Sequence, residues 1–226
     1  MPHWRERFPG MSRVGMLWYR FCRFAAASVL QLLYRPIRLH TDRIPLTGPV
    51  LLVANHQSHL DPPAISICLN KRACAFLAKE SLFKNRLFGW LIGSLNSIPI
   101  KRDTTDTAAM KATLKALAEG KPLLVFPEGS RSEDGQVQPF ERGVVLLIKR
   151  SEALVVPIGI HGSGDAWPRG KSRPSIRGKR IAIAFGEPLN PEQLMQNGTD
   201  SAIETLRDHI LALHQEAIDA LEAHRR

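Results

Sequence analysis

Short apolar runs recur along this 226-residue chain, and stretches with helical periodicity separate them. No other feature constrains the fold as much, because a strand apolar at every position must be covered on both faces. The runs at 49–54, 73–78, 97–101, 122–126 and 154–160 read as strands, and 180–185 alternates as a strand should. Between them, 62–69, 85–95, 104–119 and 143–149 read as helices. Pro62 suits a first helical turn, Asp103 or Thr104 suits a cap, and Gly120 suits a stop. From Ser201 onward Ile203, Leu206, Ile210, Leu213, Ala217 and Leu221 keep helical spacing, which predicts a long closing helix packed on the sheet. The order predicts an α/β fold: a single domain over residues 36–226, with a central, mostly parallel or mixed sheet flanked by helices. At 44% hydrophobic, a chain of this length can fill one substantial core.

Residues 1–35 read differently, as an N-terminal amphipathic arm of one or two helices. Trp18, Tyr19, Phe21, Phe24, Leu30, Leu32 and Leu33 supply apolar bulk, and Arg13, Arg20, Arg23, Arg35 and Arg38 flank it. The longest uncharged run there, 24–34, is too short for a spanning helix of roughly 20 residues. No small-residue cleavage site follows a clean apolar core, so a secretory signal is not expected. A core helix with solvated arginines is one reading. The interleaving of aromatics and arginines favours the other, an interfacial element docked on a membrane. The formal net charge of +10 asks for an acidic partner: nucleic acid, anionic lipid or a phosphorylated substrate. No nucleic-acid motif appears, and the aromatics form no stacking platform. Cys22, Cys68 and Cys74 contain no CxxC pair, so neither a zinc site nor a disulfide framework is expected, and a reducing compartment fits.

The segment Asn55-His56-Gln57-Ser58-His59-Leu60-Asp61 follows a strand and precedes a helix. Its His-x4-Asp spacing is weak evidence alone, since His214 and Asp219 repeat it inside the closing helix. There a five-residue offset turns the side chains about 140° apart, and that pair reads as surface decoration. A strand-to-helix turn, in contrast, can fold Asp61 back onto the His56 imidazole, so that the carboxylate orients the ring and the other nitrogen takes a proton. Asp61 could equally cap the helix at Pro62, and the two roles are compatible.

Further segments give such a base something to act on. Residues 126–132, Phe-Pro-Glu-Gly-Ser-Arg-Ser, lie at a strand end, where α/β sheets place ligands. Gly129 lets backbone approach a ligand, Arg131 offers a bidentate fork for phosphate, and Glu128 can hold a hydroxyl. Residues 98–103 end another strand, and Arg102 with Arg131 would clamp a phosphate monoester; pairing of Arg102 with Asp103 or Asp106 is the plainer alternative. Residues 155–159, Val-Val-Pro-Ile-Gly, read as a core strand that matters for shape. The stretch 167–180 holds Arg169, Lys171, Arg173, Arg177, Lys179 and Arg180 and no acid, which fits a solvated loop or a phosphate- or lipid-facing one.

In this order and spacing the four segments resemble the motif blocks of the glycerolipid acyltransferase family, most closely those of bacterial 1-acylglycerol-3-phosphate acyltransferases. The first resembles NHxSxxD and the third FPEGTRS, with Ser130 in place of the usual threonine. The resemblance covers roughly residues 35–190 and implies a reaction. His56 and Asp61 are the catalytic pair: His56 takes the proton from an acceptor hydroxyl as that oxygen attacks an acyl thioester, and Asp61 holds the ring. Arg102 and Arg131 hold the acceptor phosphate, with Glu128, Gly129 and Ser130 beside the substrate. The implied partners are a lysophospholipid acceptor, an acyl-CoA or acyl carrier protein donor and an anionic membrane surface, at the cytoplasmic face of the cell membrane. No metal or other cofactor is implied. Glycerol-3-phosphate or a lysolipid with a larger head group are alternative acceptors, and a non-catalytic basic membrane-surface protein is the alternative of another class.

Overall fold

The computed structural model describes residues 4–69, 72–101, 107–176 and 178–224. A short helix α1 (Trp4–Arg7) leads to α2 (Arg13–Tyr34), capped by Ser12, whose Oγ accepts the Gly15 N–H at 3.0 Å. The chain continues through β1 (Ile37–Leu39), β2 (Val50–Ala54), α3 (Asp61–Ser66), β3 (Ala75–Lys79), α4 (Arg86–Ser94) and β4 (Ser97–Ile100). It goes on through α5 (Thr107–Ala118), β5 (Pro122–Val125), α6 (Gly143–Arg150), β6 (Leu154–His161) and α7 (Ser163–Ala166). Strand β7 (Ala182–Phe185), α8 (Pro191–Met195) and α9 (Thr199–Ala223) close the fold.

The strands form one sheet in the order β1-β7-β6-β2-β5-β3-β4. From β6 through β2, β5 and β3 to β4 all pairings are parallel; β7 runs antiparallel to β6, and β1 lies parallel to β7. The expected mixed, mostly parallel sheet is therefore present. β2 is fully buried from Val50 to Ala54, which explains its unbroken apolar run: Val50 and Leu52 face α2 and α3, and Leu51 and Val53 face α5, α6 and α9. Each such side chain contributes about 1.5–3 kcal/mol by burial.

Where the structure departs from the sequence pattern, the reasons are local. Ile37-Arg38-Leu39 is too short and too polar to read as a strand, yet it pairs with β7 in register. β6 is an interior strand despite Pro157. The Gly186 N–H reaches the Pro157 carbonyl at 2.9 Å, so the missing proline N–H points to where β7 has already ended. The α3 helix starts at Asp61 without a side-chain cap, because that carboxylate is turned elsewhere.

The arm is seated on the domain. The Tyr19 hydroxyl accepts the Cys74 N–H at 3.0 Å, Arg23 donates to the Ile67 carbonyl at 3.3 Å, and Leu30 and Tyr34 join the core above α3. Tyr19 and Leu30, read from sequence as interfacial, are thus buried. Val14, Leu17, Phe21, Phe24 and Leu32 form the opposite, exposed face of α2. Trp18 packs against Trp90 of α4 at 5.6 Å, next to exposed Leu87 and Phe88. Among the described residues no helix is long and apolar enough to cross a membrane.

Candidate active site

β2, β5 and β6 are neighbours in the sheet and end on the same edge, which brings residues 55–61, 126–132 and 161 together. Asn55 extends the β2–β6 pairing by one residue: its Nδ2 donates to the Ile160 carbonyl at 2.9 Å, and its Oδ1 accepts the Ile160 N–H at 2.8 Å. Past it the chain turns, and the next strand's loop holds both backbone groups of His56. The His56 N–H donates to Glu128 Oε1 at 3.1 Å, and the His56 carbonyl accepts the Ser132 N–H at 2.7 Å.

His56 Nδ1 lies 2.8 Å from Asp61 Oδ2. The same oxygen accepts the backbone N–H groups of Gln57 at 2.7 Å and Ser58 at 2.8 Å. A carboxylate so held makes Nδ1 the protonated nitrogen and leaves the lone pair on Nε2. Phe126 stacks on the imidazole with ring centres 3.9 Å apart, and the ring keeps only slight exposure, 9% for the residue. The ring is thus held by Asp61 on one side and Phe126 on its face, with Nε2 left as its acceptor. Asp61 does not cap α3, as one reading of the sequence allowed; the turn takes all its described hydrogen bonds.

Glu128 points inward, against the turn. Burial, with smaller contributions from Asp61 and Asp134, pushes its carboxyl up to about 8. Gly129 has φ +68°, a left-handed backbone that favours glycine, and the flexible end of Glu141 lies over its α-carbon. Ser130 and Arg131 are half-buried, and the Arg131 carbonyl accepts Arg169 Nη1 at 2.8 Å. Arg102 lies outside the described residues; Lys101 before it leaves β4 on the same sheet edge. The Ser58 hydroxyl donates to the Trp167 carbonyl at 3.0 Å, and His59 meets the Trp167 ring edge-on, so the basic loop that follows hangs directly from the turn.

Several site residues escaped the sequence reading. Gln57 Nε2 reaches the Gly135 carbonyl at 2.7 Å and His214 Nε2 at 3.1 Å, and His161 Nδ1 lies 3.1 Å from that same His214 nitrogen. His214, expected on the surface, is buried, and burial lowers it to about 4. Its signal was its place within the apolar stripe of α9. Asp219 does stand apart from it, paired with Gln215 at 2.9 Å. Cys68 and Cys74 are buried thiols that burial pushes up to about 12.

Residues 36–161, which span the turn, the Glu128–Arg131 segment and β6, match the model of the family described as Acyltransferase. The chain belongs to the Acyltransferase family. Among its relatives, 1-acyl-sn-glycerol-3-phosphate acyltransferase of Streptococcus pneumoniae is 28% identical over 76% of this chain and 61% of its own length. The corresponding protein of Bacillus subtilis is 24% identical over 76% of this chain and 82% of its own. One from Chlamydomonas reinhardtii is 32% identical over 70% of this chain and 47% of its own, so the chain spans well under the full length of some family members. The crystal structure of the 1-acyl-sn-glycerophosphate acyltransferase from Thermotoga maritima superposes with a TM-score of 0.73 at 23% identity, over 91% of this chain and 83% of that one. The family's fold is therefore the one described above.

Proposed function

We propose that this chain transfers a fatty acyl group from an acyl thioester, of coenzyme A or an acyl carrier protein, to the free sn-2 hydroxyl of 1-acyl-sn-glycerol-3-phosphate, giving phosphatidate. The observation that carries the reading is the Nδ1–Oδ2 contact of His56 and Asp61 at 2.8 Å, beside the Glu128–Arg131 segment. His56 Nε2 takes the hydroxyl proton as the acceptor oxygen attacks the thioester carbon; the carbon–sulfur bond breaks, and the imidazolium gives the proton to the departing sulfur, which leaves as the thiol. Asp61 balances the imidazolium while it lasts. Such assistance is worth about 10²–10⁴ in rate. Arg131, joined by Arg102, holds the acceptor phosphate so that the hydroxyl meets the base. Glu128, Gly129 and Ser130 shape the floor beneath it. The relatives' names favour the lysophosphatidate acceptor over glycerol-3-phosphate or a lysolipid with a larger head.

The same reading places the chain on the cytoplasmic face of the cell membrane as a peripheral or monotopic protein, with residues 1–35 docking on anionic lipid. The exposed Val14, Leu17, Phe21, Phe24 and Leu32 suit an acyl boundary. A cleft of about 410 Å³ between α1 and α2, lined by Arg7, Arg13, Arg20 and Arg23 with Trp4, Phe8, Met16 and Leu17, suits phosphate heads at that boundary.

The test is turnover of lysophosphatidate with a long-chain acyl thioester by wild type and His56→Ala. The variant should lose at least about 10²-fold in kcat while staying folded. Wild-type turnover in that variant would end the general-base assignment, and absence of turnover in the wild type with every acceptor tried would favour the non-catalytic alternative.

A further inference from the structure

Gln57 stands between His56 and Ser58, and its side chain leaves the turn to reach three other parts of the fold. Its Nε2 donates to the Gly135 carbonyl at 2.7 Å and to His214 Nε2 at 3.1 Å, and its Oε1 accepts the Ser163 hydroxyl at 3.4 Å. One amide thus joins the β5–α6 loop, α9 and α7, with both its hydrogens and its oxygen engaged. The backbone N–H of this same residue is one of the donors that fix Asp61 Oδ2. Wherever the amide is held, the Asp61–His56 pair is held with it.

The far end of this brace is built with equal care. Position 214 falls among Ile210, Leu213, Ala217 and Leu221 on the buried stripe of α9, where an aliphatic side chain would satisfy packing. A buried imidazole without a partner is destabilising there. An amide nitrogen only donates, so His214 Nε2 is the acceptor, its lone pair shared with His161 Nδ1 as a second donor at 3.1 Å, and its own hydrogen sits on Nδ1. Burial keeps the ring neutral in ordinary buffers, which preserves that lone pair. α9 reaches close enough only because residue 159 is glycine: a β-carbon there would overlap the backbone of Leu213 and His214.

We propose that Gln57 and His214 are positioning residues that hold the His56–Asp61 pair in reacting geometry, with Gly159 seating the helix that carries His214. The proposal rests on His56 being the base, as read above. Neither residue need touch substrate for this role.

The test uses the whole chain and two readouts. Steady-state kinetics compare wild type with Gln57→Ala, His214→Leu, the double variant and His214→Gln, whose amide oxygen can accept from Gln57. Proton NMR follows the low-field resonance of the His56 Nδ1–H on Asp61, assigned by its loss in His56→Ala. Gln57→Ala and His214→Leu should each lower kcat by roughly tenfold to a hundredfold, with both KM values unchanged within about twofold. The double variant should be no worse than the poorer single, because both break one brace. The low-field resonance should move in both singles, and His214→Gln should restore it along with most of kcat. Multiplying losses in the double variant, KM changes that match the kcat changes, or a resonance unmoved in folded single variants would each overturn the brace. Full turnover by His56→Ala would instead overturn the reading of the base, and an unmoved resonance alongside it would sink the brace on its own terms.

Discussion

Burial pushes the Glu128 carboxyl from an ordinary 4.5 up to about 8, so at neutral pH the folded chain holds a proton that the unfolded chain has released. Between those values the folded state binds more protons, and stability falls as pH rises through the window, levelling off above about 8. Glu128→Gln keeps an oxygen for the His56 N–H and removes the titration. Urea unfolding between pH 5 and 8 should find wild type losing stability relative to this variant as pH rises; parallel curves would mean the carboxyl is solvated. His214 acts with the opposite sign, since its ordinary 6.5 is lowered to about 4 and the stability it supports fades as pH drops through that range. At this scale the sequence was informative where chemistry is local. His56 and Asp61 share a turn short enough to fold on itself, and they do meet. The burial of His214 was signalled by its place in the stripe of α9, but its partners, Gln57 and His161, lie far away along the chain, and spacing carries no trace of them.

Among the elements, α2 has one face in the core and one in the open. Its inner face is fixed by Tyr19, Leu30 and Tyr34, while Phe21 and Phe24 stand 62% and 69% exposed, so charging them should leave the fold nearly untouched. Phe21→Glu combined with Phe24→Glu is expected to abolish flotation with vesicles of anionic phospholipid and to change Tm by less than about 2 °C. Undiminished flotation would remove the arm from any part in docking. Periodicity announced this helix, but a helix apolar around most of its girth does not say which stripe the core takes. Strand starts and stops were legible to within a residue or two, since apolar runs end where the sheet ends. Ile37–Leu39 was not, because three half-buried residues carry too little pattern.

For the molecule as a whole, the order of the strands decides what the site is made of, and order is a property of pairing that no single run encodes. Gly159 shows the consequence: read in sequence as a matter of shape, it lets α9 lie directly on β6. Gly159→Ala should cost about 1–3 kcal/mol or more in a denaturant titration, because backbone rather than a flexible side chain must give way. A loss under half a kilocalorie per mole would show α9 free to shift outward.

Asn55 gives the turn a further property. By exchanging two hydrogen bonds with Ile160 it makes the root of the turn a continuation of the central sheet. Segments tied in this way do not open on their own; they open when the sheet does. The Ile160, Gln57 and Ser58 amides should therefore exchange with deuterium as slowly as those of β2 and β6. Heat should take activity and fold together, with inactivation and global melting overlaid on one curve.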